Sequence, residues 1–165
     1  MEKANILIVF DSKTGNVKKM ATAVAEGARE VANTNVTIKT ATETTNDDLL
    51  KADCIIIGSP TYYGLMSARV KDLFDSSVKI HGKLAGKVGA AFTSAGGKAT
   101  GAESTLLSIL EAMLVHGMIV QGRSDDKHYG AACELCPDDE ANKICRELGK
   151  RTAELSVRLK SANAK

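Results

Sequence analysis

The chain of 165 residues carries 22 basic and 20 acidic side chains, a formal net charge of +2, and no tryptophan. This near balance argues against a nucleic-acid binder, which usually has a strong basic bias. The length predicts one domain over residues 1–165. No apolar run approaches the length of a membrane span, and the N-terminus lacks a signal-peptide pattern. We therefore expect a cytoplasmic protein with reduced cysteines and no membrane partner.

Apolar runs alternate with helical patterns in the first half of the chain. Residues 6–10 are continuously apolar, which is typical of a parallel strand buried on both faces. An amphipathic helix follows over residues 17–31, and residues 36–39 alternate like a short strand. Residues 46–48 predict the cap of a brief helix, and residues 54–58 a second buried strand.

The second half continues the alternation. A helix is predicted over 67–76 and a buried strand over 88–93. The next helix is predicted to begin with a capping box of Thr100 and Glu103 and to end at Gly117. The last strand is predicted at 118–120.

Pro137 is predicted to open a long final helix. Five strands and five helices in strict alternation indicate a doubly wound α/β domain, in which ligands bind beyond the carboxyl ends of the strands.

Three of these strand ends carry residues suited to a ligand. After the first strand comes DSKTGNV, in which Ser12 and Thr14 offer hydroxyls and Gly15 allows close backbone approach to a phosphate at a helix N-terminus. Neither G-x-x-x-x-G-K-[ST] nor G-x-G-x-x-G is present, so an NTPase loop and a dinucleotide fingerprint are excluded. The alternative is an ordinary strand-to-helix turn with a Ser or Thr cap.

The other two strand ends hold SPTYYG and SAGGK. Tyr62 and Tyr63 suit the face of a flat aromatic ring, although a surface loop packed on neighbouring helices is the alternative. The glycines after the fourth strand can present backbone N–H groups to a planar polar edge. Each of the three segments alone is a weak signal. Their joint occurrence at the carboxyl ends of the predicted parallel strands indicates one ligand site.

As a set, SKTGNV, GSPTYYGLMSARVKDLFD, GKLAGKVGAAFTSAGG and ESTLLSILEAMLVHGM resemble the flavodoxin-like FMN-binding family, in particular the WrbA-type NAD(P)H:quinone oxidoreductases. The resemblance covers residues 5 to about 122. It implies a flavodoxin-like, doubly wound, five-stranded parallel sheet of order 2-1-3-4-5 with helices on both faces, and FMN as the cofactor.

The resemblance also implies the site. The phosphate of FMN falls on the loop after the first strand, with contact to the backbone rather than the side chain of Val17, and the ring and its pyrimidine side fall on the other two loops. His116, in HGM, is implied to approach the flavin, sometimes from a neighbouring subunit; a helix C-terminal histidine favoured by the dipole is the alternative. The implied cofactor-binding residues are Ser12, Lys13, Thr14, Gly15, Asn16, Val17, Pro60, Thr61, Tyr62, Tyr63, Gly64, Ser94, Ala95, Gly96, Gly97 and Lys98.

Two functions follow from the resemblance. The first is an enzyme that passes electrons from NAD(P)H through FMN to a quinone or similar acceptor, without a catalytic side chain. The second is a flavodoxin-type one-electron carrier between redox proteins, which the net charge of +2 disfavours because such carriers are usually acidic. A homo-oligomer, dimer or tetramer, is expected, although the family's insert between strands two and three is missing here.

The cysteines support a third possibility, a redox-sensing module. Cys133 and Cys136 form a C-x-x-C motif ahead of a helix N-terminus, where a thiolate is stabilised. Structural zinc usually needs a second paired motif, so a metal site is only a weak alternative. Cys54 and Cys145 are expected to pack as small hydrophobic residues.

Overall fold

A parallel sheet of six strands forms the centre of the computed structural model, which describes residues 2–163. In chain order, β1 to β6 are Ala4–Phe10, Thr34–Thr40, Cys54–Pro60, Val88–Ala95, Ile119–Val120 and Ala131–Glu134. The spatial order is β2-β1-β3-β4-β5, which confirms the expected doubly wound arrangement. β4 is buried along its whole length, as expected of the buried strand predicted over 88–93.

The edge of the sheet next to β4 consists of two pieces. β5 pairs with Val88 and Gly89 at the amino half of β4, and β6 pairs with Phe92 to Ala95 at its carboxyl half. The prediction of five strands in strict alternation is therefore wrong, because β6 follows β5 with no helix between them. The sequence of β6, AACE, lacks the β-branched residues that mark a strand.

Helices cover both faces of the sheet. They are α1 (Asn16–Arg29), α2 (Asn46–Lys51), α3 (Ala68–Ser76) with a 3₁₀ turn at Ser77–Ile80, α4 (Ala102–Val115) and α5 (Asp139–Asn163). Side chains of α1 and α5 share one core with the sheet, and those of α2, α3 and α4 share the other. Among residues 2–163, no helix combines the length and apolar character needed to cross a bilayer.

The helix starts differ from the predicted caps. Thr45 caps α2 one residue earlier than expected, in a capping box with Asp48. The predicted capping box of Thr100 and Glu103 is wrong, because the Thr100 hydroxyl donates to the Gly97 carbonyl at 2.7 Å. α4 instead follows Gly101, whose backbone is left-handed (φ 98°).

The start of the last helix also differs. Asp138 Oδ1 accepts the N–H of Ala141 at 2.8 Å, and α5 begins at Asp139, so Pro137 lies before the helix rather than in its first turn. At the end of α4, Gly117 has the left-handed backbone (φ 76°) expected of a terminating glycine.

Candidate functional site

Three loops meet where the strands end, at the side of the sheet formed by their carboxyl termini, which we call the edge. β1, β3 and β4 are neighbours, with Phe10 opposite Gly58 and Gly58 opposite Phe92, so their carboxyl ends lie side by side. The loops that follow them carry DSKTGN, TYYG and GGK. The fold therefore brings together the three segments that the sequence singled out.

The loop after β1 leads into a helix start that no side chain caps. Gly15 is the N-cap residue of α1, with φ 94°. Ser12 Oγ accepts the N–H of Gly15 at 3.1 Å, which closes the loop into a turn. The first N–H groups of an α-helix have no partner within the helix, so those of Asn16, Val17 and Lys18 remain donors. A helix N-terminus with free donors is an arrangement that binds phosphate.

We call this turn, residues 12–17, the cradle. The space around it leaves room for an anion. A β-carbon at Gly15 would meet no atom within 4 Å. Lys13 and Thr14 are exposed, and the side chain of Val17 is buried in the core under α1. Val17 thus has only its backbone N–H at the cradle, as the predicted backbone contact requires.

A buried carboxylate lies at the end of β1, beside the cradle. Asp11 is 8% exposed, and its Oδ1 pairs with Nη1 of Arg69 on α3 at 3.1 Å. The guanidinium offsets a negative charge that would otherwise repel a phosphate. The sequence contained no signal for this partner, because Arg69 is 58 positions away.

The loop after β3 forms a tight hairpin. Tyr62 and Leu65 exchange backbone hydrogen bonds of 3.1 and 3.0 Å. The two residues between them, Tyr63 (φ 51°) and Gly64 (φ 74°), both have positive φ, as a type I′ turn requires. Positive φ is uncommon for a bulky residue and is often found at functional sites. The Tyr63 side chain is fully exposed and Tyr62 is partly exposed at this edge.

A chain of hydroxyls ties the hairpin to β4. Thr93 is fully buried; its Oγ1 donates to the Ser59 carbonyl at 2.6 Å and lies 3.0 Å from Thr61 Oγ1. The Thr61 N–H donates to the Ser94 carbonyl at 2.9 Å. These bonds fix the ends of β3 and β4 relative to each other, although the sequence pattern contains no signal for Thr93 or Ser59.

Close backbone contact joins the hairpin to α4. A β-carbon at Gly101 would lie 2.7 Å from the Cα of Gly64, closer than real Cβ atoms approach. Gly101 therefore allows the start of α4 to contact the hairpin, a role that the sequence did not reveal.

The loop after β4 is anchored at its beginning and exposed beyond it. Ser94 Oγ donates to the Leu135 carbonyl at 2.7 Å, and the Leu135 N–H donates to the Ala95 carbonyl at 2.7 Å. Gly96 and Lys98 are exposed, and Gly97 is partly so. The Ser94 hydroxyl is thus engaged within the protein, while the glycine backbone is accessible.

His116 lies at the opposite edge of the sheet from these loops. It follows α4, is 7% exposed, and its Nε2 lies 2.8 Å from Ser77 Oγ. Burial and, to a lesser extent, the neighbouring His81 lower the pKa of His116. Within one chain it is separated from the three loops, so its approach to a flavin stays a prediction that needs a neighbouring subunit.

The C-x-x-C segment lies beside the cradle. Cys133 Sγ is 3.4 Å from Met20 Sδ, and Cys136 Sγ is 3.4 Å from Lys19 Nζ. Within residues 2–163, no group of three or more His, Cys, Asp or Glu side chains is placed to hold a metal. Cys54 and Cys145 are fully buried, as expected.

Comparison with known proteins identifies the family. A family model described as NADPH-dependent FMN reductase matches residues 29–125, more than half of the chain. A protein named flavodoxin from Aquifex aeolicus is 41% identical over 157 residues, which cover 90% of this chain and 85% of that protein. An NAD(P)H dehydrogenase (quinone) from Archaeoglobus fulgidus is 36% identical over an alignment of 190 residues, which covers 94% of this chain and 99% of that protein.

Solved structures agree with these matches. The flavodoxin, WrbA-like protein from Agrobacterium tumefaciens superposes with a TM-score of 0.80 and 25% identity, covering 94% of this chain and 99% of that one. Together, the family model, the relatives and this structure show that the chain belongs to the flavodoxin-like FMN family that includes the NADPH-dependent FMN reductases.

Proposed function

We propose that this protein is an FMN-dependent oxidoreductase that passes electrons from NAD(P)H to a quinone or a similar flat acceptor. The observation that carries the proposal is the meeting of the cradle, the hairpin and the glycine loop at one sheet edge. Family membership supports it, as do several relatives named NAD(P)H dehydrogenase (quinone).

The residues at this edge fit the phosphate of FMN. The free N–H groups of Asn16, Val17 and Lys18 and the hydroxyls of Ser12 and Thr14 would hold it, with Lys13 adding a positive charge. The open space at Gly15 leaves room for its oxygens. A single phosphate suits a short turn that has no P-loop lysine motif.

The other two loops fit the flavin ring. Residues 60–64 would flank it on one side, with Tyr62 and Tyr63 as exposed aromatic surface, and residues 94–98 would contact its pyrimidine side. The backbone N–H groups of Gly96 and Gly97 would stabilise negative charge there. FMN, when bound there, would supply the redox chemistry that links the nicotinamide to the acceptor. The chain's own contribution is to bind and orient, so no catalytic side chain is needed.

The absorption spectrum of the purified protein, loaded with FMN and kept under nitrogen, tests this function. We expect NADPH or NADH to bleach the bound flavin and a soluble quinone to restore its colour over repeated cycles. Failure to bind FMN, or a bound flavin that neither nucleotide bleaches, would contradict the proposal.

A one-electron carrier is the second candidate, favoured by the relative from Aquifex aeolicus that is named flavodoxin. The net charge of +2 speaks against it, because a strongly acidic surface steers such carriers to basic partners. If the protein is a one-electron carrier, NAD(P)H leaves the flavin unbleached unless a separate reductase protein is added.

We also propose that the protein is a homo-oligomer, dimer or tetramer, with its second copy on an apolar surface near the end of α4. Val78, Leu114, Val115 and Ile119 are each at least 40% exposed there. Light scattering of the wild type is expected to give a multiple of the chain mass, and Val115→Glu to give the monomer. Leu135→Glu, at the opposite edge, is the matched control. A monomeric wild type would contradict this assembly.

The proposed location is the cytoplasm. All four cysteines are free thiols in the described part of the chain, as suits a reducing compartment.

A further inference from the structure

The C-x-x-C motif brings two thiols against consecutive residues of one helix. Cys133, on β6, directs its sulfur to Met20 of α1 at 3.4 Å, and Cys136 directs its sulfur to Lys19 at 3.4 Å. Both cysteines also line one cleft between the loop after β4 and the start of α5. The two sulfurs therefore lie on the same side of the sheet, beside the same turn of α1.

The segment between the two cysteines is bent back on itself. Leu135 has a positive φ of 54°, which is uncommon for a branched apolar residue, and its side chain is exposed. Its carbonyl and N–H are held by Ser94 and Ala95. The bend is thus fixed by β4, and it lets two residues three positions apart face the same helix.

The two thiols differ in the way that a reacting pair requires. Cys136 is exposed and hydrogen-bonded by the Lys19 ammonium, which attracts a negatively charged sulfur, the species that attacks disulfides. Cys133 is 8% exposed, and burial raises the pKa of its thiol. Cys54 and Cys145 are fully buried with pKa values raised to about 12, so neither competes.

We propose that Cys133 and Cys136 are a redox-active dithiol that small-molecule disulfides oxidise, with Cys136 as the attacking and Cys133 as the resolving thiol. The Cys136 thiolate attacks one sulfur of the small disulfide, forming a mixed disulfide and expelling one thiolate. Cys133 then loses its proton and attacks Cys136 Sγ, expelling the second thiolate. The protein loses two hydrogens and two electrons, and the small disulfide becomes two thiols. This inference does not depend on the proposed FMN site.

Intact-mass spectrometry after treatment of the reduced full-length protein with oxidised glutathione tests this assignment. The wild type is expected to lose two hydrogen masses without a lasting glutathione adduct, and peptide mapping to join Cys133 to Cys136. Cys133→Ala is expected to retain one glutathione on Cys136. Cys136→Ser is expected to form neither an internal disulfide nor a glutathione adduct.

Lys19 provides a second, graded test. Lys19→Gln is expected to slow oxidation several-fold, whereas Lys143→Gln, at an exposed lysine of α5, is expected to leave the rate unchanged. The proposal is overturned if the wild type keeps a stable mixed disulfide, if Cys136→Ser is oxidised as fast as the wild type, or if both thiols stay freely alkylated. Because the mass of the wild type alone decides the first and third outcomes, the test does not depend on how the variants fold.

Discussion

Gly15 is the residue on which the cradle depends most directly. Its left-handed backbone (φ 94°) starts α1 without a side-chain cap, and the space beside it is open. An alanine there has room but takes a backbone conformation that costs about 1–2 kcal/mol for residues other than glycine. Its methyl group would also occupy the space that we assign to the phosphate.

We therefore predict that Gly15→Ala lowers the free energy of unfolding by about 1 kcal/mol and weakens FMN binding at least about tenfold, or roughly 1.4 kcal/mol. Gly82→Ala is the matched control, because Gly82 has a similar backbone (φ 80°) and equally open space at the opposite edge. Urea titration and fluorescence titration of the apoprotein with FMN measure the two effects. Equal FMN affinity in both variants would show that the phosphate of FMN does not lie beside Gly15.

His116 is a buried residue whose charge state bears on stability. Burial, and then the nearby His81, lower the pKa of His116 in the folded protein, while the unfolded chain keeps its ordinary value of about 6.5. As the pH falls below that value, the unfolded state binds the proton first, so stability is lost. The contribution of His116 is thus present above about pH 6.5 and decreases as the pH falls through its folded-state pKa.

Unfolding of the wild type and of His116→Gln by urea between neutral and mildly acidic pH measures this effect. At neutral pH the variant is expected to be less stable by about 1 kcal/mol, because the Ser77 hydroxyl loses its hydrogen bond with the His116 ring and keeps only the one that it donates to the Phe74 carbonyl. The difference in the free energy of unfolding between the two proteins should narrow on acidification, since only the wild type has the buried histidine whose protonation in the unfolded state lowers stability. His128→Gln, at an exposed histidine, should keep the wild-type pH dependence; an identical profile for all three proteins would contradict the assignment.

At the scale of elements, the hydroxyl chain between β3 and β4 positions the hairpin. Thr93→Val keeps the shape of a fully buried side chain but removes its hydrogen bond to the Ser59 carbonyl and its contact with Thr61. Leaving a buried acceptor without that donor is expected to lower the free energy of unfolding by about 1–3 kcal/mol.

Thr152→Val is the matched control for Thr93→Val. Thr152 is also fully buried, but it donates to the carbonyls of Leu148 and Gly149 within its own helix. These carbonyls have helical N–H partners, so the control should lose less than about 1 kcal/mol. We expect only Thr93→Val to weaken FMN binding as well, because the hairpin loses its anchor. A larger loss of stability in Thr152→Val would contradict the role given to Thr93.

The elements also show where sequence reasoning reaches its limit. Long apolar runs such as residues 54–58 predicted buried strands correctly, because burial on both faces demands apolar residues throughout. The strand predicted at 118–120 corresponds to β5, but β6 was missed, since its own residues favour a strand only weakly and pairing with β4 stabilises it. The start of α4 was misassigned because the close contact of Gly101 with Gly64 is set by tertiary packing.

For the whole molecule, sequence order along parallel strands predicted the shared location of the three loops, because carboxyl ends of such strands lie on one edge. The contacts that hold the loops in place could not be predicted. Arg69 reaches Asp11, and Ser94 reaches Leu135, across 58 and 41 positions, which only the folded chain brings together. The placement of His116 at the other edge followed from the direction of α4 and was not visible in the HGM motif.

Ligand linkage tests the assembled site as a unit. A ligand that binds only the folded state raises its stability by about 2.7 kcal/mol at a free concentration of 100 times its dissociation constant. We expect FMN to give a stabilisation of this size to the apoprotein. Riboflavin, which has the same ring without the phosphate, should stabilise it much less at equal concentration, because the N–H groups at the start of α1 have no anion to bind.

Thermal unfolding of the apoprotein with each compound measures this difference, and the Gly15→Ala variant supplies the control. If the cradle holds the phosphate, the variant should lose most of the advantage of FMN over riboflavin and keep the small effect of riboflavin, because the hairpin and the loop after β4 remain intact. Equal stabilisation of the wild type by both compounds would show that the cradle is only a helix start, and would leave the ring-binding loops as the sole binding site.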